Sequence, residues 1–183
     1  MRRAIRRCSA ILAFIFLPTV LPAVAHATDI VGVDIQMSTV MQQRQTSFSG
    51  VGVRFRLKST GLAENIEFLP NMEYWRNSAS IQTFQINTTR KDATVGVDAR
   101  YTFFQGSWEP YVGGGWALHF MSNEVIAPGF NNARNAHTMG GLTALAGVSF
   151  PLTSVVHNFI EFKYHHVTDA KQLKFNWGVA FNI

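Results

Sequence analysis

The stretch Lys171-Gln-Leu-Lys-Phe-Asn-Trp-Gly-Val-Ala-Phe-Asn-Ile183 decides the fold. Leu173, Phe175, Trp177, Val179, Phe181 and Ile183 alternate with Lys174, Asn176, Gly178, Ala180 and Asn182. A period of two sorts residues onto two chemically distinct faces only when the backbone is extended. One face is then wholly apolar and rich in aromatics, and the other is small or polar. The spacing predicts a β-strand whose six apolar residues, Leu173 to Ile183, face a membrane while the alternate row faces inward.

Working outward, the other end of the chain reads differently. Arg2, Arg3, Arg6 and Arg7 precede an apolar run from Ala10 to Val24, and Ala25-His26-Ala27 places small residues where a signal peptidase reads them. This is the pattern of a secretory signal peptide over residues 1–27, leaving 28–183 as one β-barrel domain. Pro18, Pro22 and an apolar stretch shorter than the roughly 20 residues of a spanning helix argue against an N-terminal anchor. Removal of the four arginines takes the basic residues from 16 to 12 against 11 acidic ones, so the excess of positive charge belongs mostly to the leader. No basic stripe remains for nucleic acid. Cys8, the single cysteine, leaves with the leader and takes thiol chemistry with it.

From Thr28 onward nothing offers 18 consecutive apolar residues, although hydrophobic types make up 47% of the chain. A membrane-spanning mature chain must therefore cross with strands, and strands in lipid must close on themselves to satisfy every backbone group. Alternation predicts strands near 31–39, 47–58, 65–76, 93–104, 108–121, 138–150, 157–167 and 171–183. The cleanest is Ala93 to Phe103, where Ala93, Val95, Val97, Ala99, Tyr101 and Phe103 alternate with Thr94, Gly96, Asp98, Arg100 and Thr102. Polar or Gly/Pro-marked stretches near 40–46, 77–92 and 122–137 read as long connections, the second with room for strand extensions, and those between them as short turns.

Eight strands with short and long connections in alternation predict an all-β fold, an eight-stranded antiparallel up-and-down transmembrane β-barrel. Charge and glycine share one parity, which suits a narrow interior filled by side chains. Aromatics near strand ends, such as Tyr74, Trp75, Tyr101, Phe103, Trp108, Phe120 and Tyr164, are candidates for interfacial girdles. The competing fold is a soluble periplasmic barrel that binds a ligand, which requires the apolar parity to point inward.

Val95-Gly96-Val97-Asp98-Ala99-Arg100-Tyr101, Glu109-Pro110-Tyr111-Val112-Gly113-Gly114-Gly115, Phe159-Ile160-Glu161-Phe162-Lys163-Tyr164 and the terminal strand resemble the small outer-membrane β-barrel family of opacity proteins and the OmpA-type transmembrane domain. The resemblance covers nearly all of 28–183; terminal Ile183 stands where that family usually has phenylalanine. It implies a monomer in the bacterial outer membrane, in contact with outer-membrane lipid and lipopolysaccharide, and with the barrel-insertion machinery during biogenesis. It implies a structural or surface-interaction role without catalysis or cofactor.

Arg54, Arg56, Glu67, Glu73, Asp98, Arg100, Glu161, Lys163 and Lys174 all fall on the inward parity. Opposite charges in so narrow a space are expected to pair, because unpaired burial of a charge is costly; a narrow pore is the functional rival. His165 and His166 point to opposite faces of one strand, which argues against a converging metal site. Lys163-Tyr164-His165-His166-Val167-Thr168-Asp169-Ala170 is similar to the segment that carries the catalytic histidine and serine of outer-membrane lipid A 3-O-deacylases. That likeness implies His166 as base and Thr168 as nucleophile on the outer face. The departures are threonine for serine and the lack of a carboxylate on the last strand to orient the imidazole.

Overall fold

The computed structural model describes residues 28–42, 47–59, 64–81, 86–127, 133–167 and 171–183. These form eight strands: β1 (Thr28–Gln42), β2 (Phe48–Ser59), β3 (Ile66–Ile81), β4 (Ile86–Thr102), β5 (Glu109–Ile126), β6 (Ala133–Pro151), β7 (Val156–Val167) and β8 (Gln172–Asn182). Each pairs antiparallel with its neighbours in sequence, and β1 pairs with β8 from Gly32↔Asn182 to Gln42↔Gln172, closing the barrel in order β1 to β8. Closure removes the free edges that hydrocarbon does not tolerate. The expected fold class is the observed one.

The alternation seen in the sequence is realised as two walls. Leu142 is 64% exposed, Met72 58%, Ile35 57%, Val97 51% and Trp177 51%, while Asp34, Glu161, Lys174 and Asn176 are fully buried. Apolar residues therefore face out and charged ones face in, which overturns the soluble barrel with an apolar interior. So broad an exposed apolar surface is stable only against another apolar phase. Leu173, Trp177, Phe181 and Ile183 are exposed on the outer wall, with Phe175 and Val179 partly covered between them.

Two expectations fail. The stretches near 77–92 and 122–137 are largely strand, pairing from Asn77↔Arg90 to Ile81↔Ile86 and from Ser122↔Ala136 to Val125↔Ala133. They lack an apolar period because both faces are wet there, so ladder hydrogen bonds alone hold them. With 16, 17, 18 and 19 residues, β3 to β6 far exceed the roughly 9–11 that span a bilayer. They rise beyond the apolar belt at the end opposite the two chain ends of the barrel. Second, Trp75 is no girdle residue: Tyr74 points out, so Trp75 points in and is 2% exposed.

Trp75 packs on Phe48, ring centroids 4.2 Å apart, and on Val40. With Met121, Val167 and the partly buried Met139 they form two apolar clusters inside that same end of the lumen. A register shift between Ile30 and Gly32 marks the start of the β1–β2 ladder. A Cβ on Gly32 would lie 2.1 Å from the Arg56 guanidinium, so the missing side chain is what lets Arg56 pass over β1.

Candidate functional site

The lumen is the part of the barrel where chemistry is concentrated, and it is layered along its axis. At the chain-end mouth, Arg56, Lys58, Glu64, Glu67, Arg100 and Glu109 line a vestibule that opens to solvent, with Phe159 also in its wall. Arg100 pairs with Glu67 and lies 4.8 Å from the Tyr111 ring centroid. Arg56 sends its Nη2 to the Phe181 carbonyl at 3.0 Å and places Nε 2.9 Å from Asp34 Oδ1.

One layer deeper, Arg54 joins three strands. Its Nε donates to Asp34 Oδ2 at 2.6 Å on β1, its Nη1 donates to Glu161 Oε2 at 2.7 Å on β7, and its guanidinium sits 4.3 Å over the Phe159 ring. Glu161 also accepts from Tyr111 Oη at 3.1 Å and Asn176 Nδ2 at 3.0 Å. Above this, Lys163 Nζ lies 3.0 Å from Glu73 Oε1 and 2.8 Å from Asp98 Oδ2, and Lys174 closes on the other Glu73 oxygen. Asn71 Nδ2 donates to Asp98 at 2.9 Å and Gln36 Nε2 to Glu73 at 3.2 Å. The structure thus brings Arg54, Arg56, Glu67, Glu73, Asp98, Arg100, Glu161, Lys163 and Lys174 into paired contacts that extend from the vestibule to the middle of the lumen. Five buried cations meet five buried carboxylates, since Asp34 joins the set. Each charge is offset within hydrogen-bonding distance, which is the condition for keeping charges out of water.

The next layer joins two of the chain's histidines to Asp92, which the sequence reading did not single out. His119 Nδ1 is 2.8 Å from Asp92 Oδ2 and 3.1 Å from Thr94 Oγ1, and His119 Nε2 is 3.1 Å from His165 Nδ1. Asp92, His119 and His165 are all 0% exposed. His119 and His165 do converge, on β5 and β7 either side of β6, even though His165 and His166 diverge. Asp92 was hidden by the reading of 77–92 as a connection. The inward parity of His119 and Asp34 was legible; their partners, on other strands, were not. Among the described residues no group of three or more His, Cys, Asp or Glu is arranged to hold a metal ion.

On the outer wall His166 is exposed at the far end of β7, opposite Leu142 on β6, with its ring 6.3 Å from Tyr164. Thr168 lies outside the described residues. Glu161, the nearest carboxylate on that strand, points inward and is held by Arg54. Among the described residues His166 has no carboxylate partner to orient its imidazole as a hydrolytic triad requires; Asp169, like Thr168, lies outside them.

These features define a small transmembrane-type barrel with a filled lumen and a wet extension. No protein-family model matches the chain, and no curated protein matches it by sequence. Its fold is similar to that of Neisserial surface protein A, with a TM-score of 0.62 and 19% identity over 86% of this chain and 100% of that one. It is also similar to Ail, the attachment invasion locus protein of Yersinia pestis, solved in complex with the heparin analogue sucrose octasulfate (TM-score 0.60, 11% identity, 85% of this chain and 98% of that one). The N-terminal β-barrel domain of Pseudomonas aeruginosa OprF gives 0.56 at 16% identity over 84% of this chain and 98% of that one. At these identities the shared property is the fold, and the resemblance to small outer-membrane barrels is borne out at that level.

Proposed function

We propose that residues 1–27 are a signal peptide removed on export, and that the rest spans the bacterial outer membrane as a closed barrel. It acts at the cell surface through the extensions of β3 to β6 and conducts no steady current. The observation that carries this reading is the pairing of a polar sheet beyond the apolar belt with a lumen blocked beneath it. Asn77↔Arg90 and Ser122↔Ala136 continue the ladders outward, while Trp75, Phe48 and Val40 pack apolar groups inside that end. An eight-stranded interior is only wide enough for its own side chains, and here paired charges occupy it. The surface role named for Neisserial surface protein A and the attachment role named for Ail are consistent with this assignment.

The test combines four measurements, on whole cells, their fractions and the purified barrel. Unheated samples are expected to migrate differently from boiled ones on a gel and to fractionate with outer membranes. Protease added to whole cells is expected to cut within residues 77–91 or 122–137 and to spare the belt. Planar bilayers holding the purified barrel are expected to show no steady conductance. Fractionation with the periplasm would end the membrane assignment, and a stable open channel would end the closed-barrel reading.

A further inference from the structure

Arg76 on β3 and Lys91 on β4 stand directly opposite each other in the antiparallel ladder. Their neighbours Trp75 and Asp92 are 2% and 0% exposed inside the lumen, so alternation puts both cationic side chains on the outer wall. Like charges directly opposite on paired strands destabilise the pair. In the lumen every arginine and lysine of the central layers meets a carboxylate; among the described residues neither Arg76 nor Lys91 forms an ion pair. The arrangement makes sense with an anion between them.

Its position identifies the anion. The next outward residues toward the belt are Tyr74 on β3 and Ala93 on β4, in register with Phe120 on β5. Tyr74 and Phe120 are each 46% exposed and belong to the apolar wall. Arg76 and Lys91 are therefore the first polar row past the hydrocarbon-facing surface, at the end away from the chain ends. Ser122 on β5 is paired with Lys91 and extends the row with a hydroxyl. One outward row farther, Glu124 stands opposite Arg134 across β5 and β6, so that row carries one charge of each sign. A guanidinium fork, an ammonium and a hydroxyl side by side match a phosphate, whose oxygens take charge-assisted hydrogen bonds from each.

We propose that Arg76 and Lys91, flanked by Ser122, bind the phosphate of a phosphorylated glycolipid headgroup at the outer boundary of the membrane. This rests on the outer-membrane reading above and adds a residue-level ligand site to it. It places the lipid against the β3–β5 wall, with its acyl chains along Tyr74 and Phe120.

The wild type, Arg76→Ala/Lys91→Ala and Arg76→Lys/Lys91→Arg are refolded into phosphatidylcholine vesicles containing either bis-phosphorylated lipid A or its dephosphorylated form. Lipid retained per barrel is counted by native mass spectrometry after detergent extraction. The wild type and the charge-keeping variant are expected to retain phosphorylated lipid A about tenfold more than the alanine pair. The dephosphorylated form is expected to be lost from all three, and millimolar inorganic phosphate to leave retention unchanged. Equal retention by the three barrels, or of the two lipids, would overturn the site; displacement by inorganic phosphate would overturn the lipid as its occupant. The heat-dependent gel shift of each sample reports insertion separately. A shifted barrel that retains no lipid A overturns this inference alone, whereas a wild type that never shifts overturns the membrane reading.

Discussion

Arg54 and Glu161 meet inside the lumen with Nη1 2.7 Å from Oε2, although β2 and β7 are separated by β1 and β8. The contact therefore bridges, from within, the β1–β8 seam where the chain closes on itself. Asp34 on β1 takes the Nε of the same arginine at 2.6 Å, and Arg56 reaches past β1 to the Phe181 carbonyl on β8. Two arginines of one strand thus hold both sides of the closure.

Arg54→Ala leaves Glu161 buried without its arginine and Asp34 with Arg56 alone, and is expected to cost about 3–5 kcal/mol, the range for breaking a buried pair on one side. Urea unfolding in lipid vesicles, followed by tryptophan fluorescence, measures it. A double variant Arg54→Met/Glu161→Gln should lose less than the sum of its singles, by about 0.5–3 kcal/mol, because the two side chains are in contact. Additive losses would mean that the pair does not act as a unit.

The narrow interior makes a second demand. A Cβ on Gly115 would lie 2.1 Å from the Val97 carbonyl oxygen and 2.6 Å from Asp98 Oδ1, while one on Gly106 would meet nothing within 4 Å. Gly115→Ala is expected to destabilise by about 1–3 kcal/mol through overpacking, and Gly106→Ala to change stability little. The midpoint of the same urea transition reads both. Equal midpoints for the two variants would refute the claim that Asp98 and Gly115 share one tightly filled layer.

The alternation of residues 93–103 and 171–183 was enough to read strand, face and closure, because in a membrane barrel one physical contrast, lipid against a polar interior, repeats at every second residue. That contrast vanishes beyond the belt. Asn77 to Asp92 therefore looked like a connection and Asp92 was missed with it, while Trp75 was read as an interfacial aromatic although its parity, opposite to that of Tyr74, turns it inward. Parity alone placed Arg54 and Glu161 on the inside, but no local pattern says that residues separated by 107 positions donate and accept one hydrogen bond. The His119–His165 contact was illegible for the same reason: it depends on the registers by which β6 joins β5 to β7.

The lipid-facing assignment of the outer wall predicts a steep cost for charge there. Val97 is 51% exposed in the clean part of β4, in register with Trp116 on β5. Val97→Arg is expected to destabilise the barrel in vesicles by about 2–4 kcal/mol, the range for arginine at the bilayer midplane. Thr88→Arg, on the exposed extension of the same strand, should stay within about 0.5 kcal/mol of the wild type. Comparable effects at the two positions would mean that β4 is solvated along its whole length.

At the far end of the lumen Trp75 packs on apolar groups: Phe48 at 4.2 Å between ring centroids and Val40 beside it. Trp75→Ala removes the largest of the three and is expected to cost about 3–5 kcal/mol, the loss typical of deleting a buried aromatic. It should not open a steady conducting path. Beneath the cap Lys163 and Lys174 remain locked on Glu73, and Lys163 also on Asp98, so an ion entering through the cavity still meets a layer whose charges are already paired. Replacing Lys163 as well leaves Asp98 without a lysine and Glu73 with Lys174 alone, and Trp75→Ala/Lys163→Ala is expected to show intermittent cation-selective openings in planar bilayers. Steady current from Trp75→Ala by itself would make the apolar cap the sole barrier and the ion pairs mere lining.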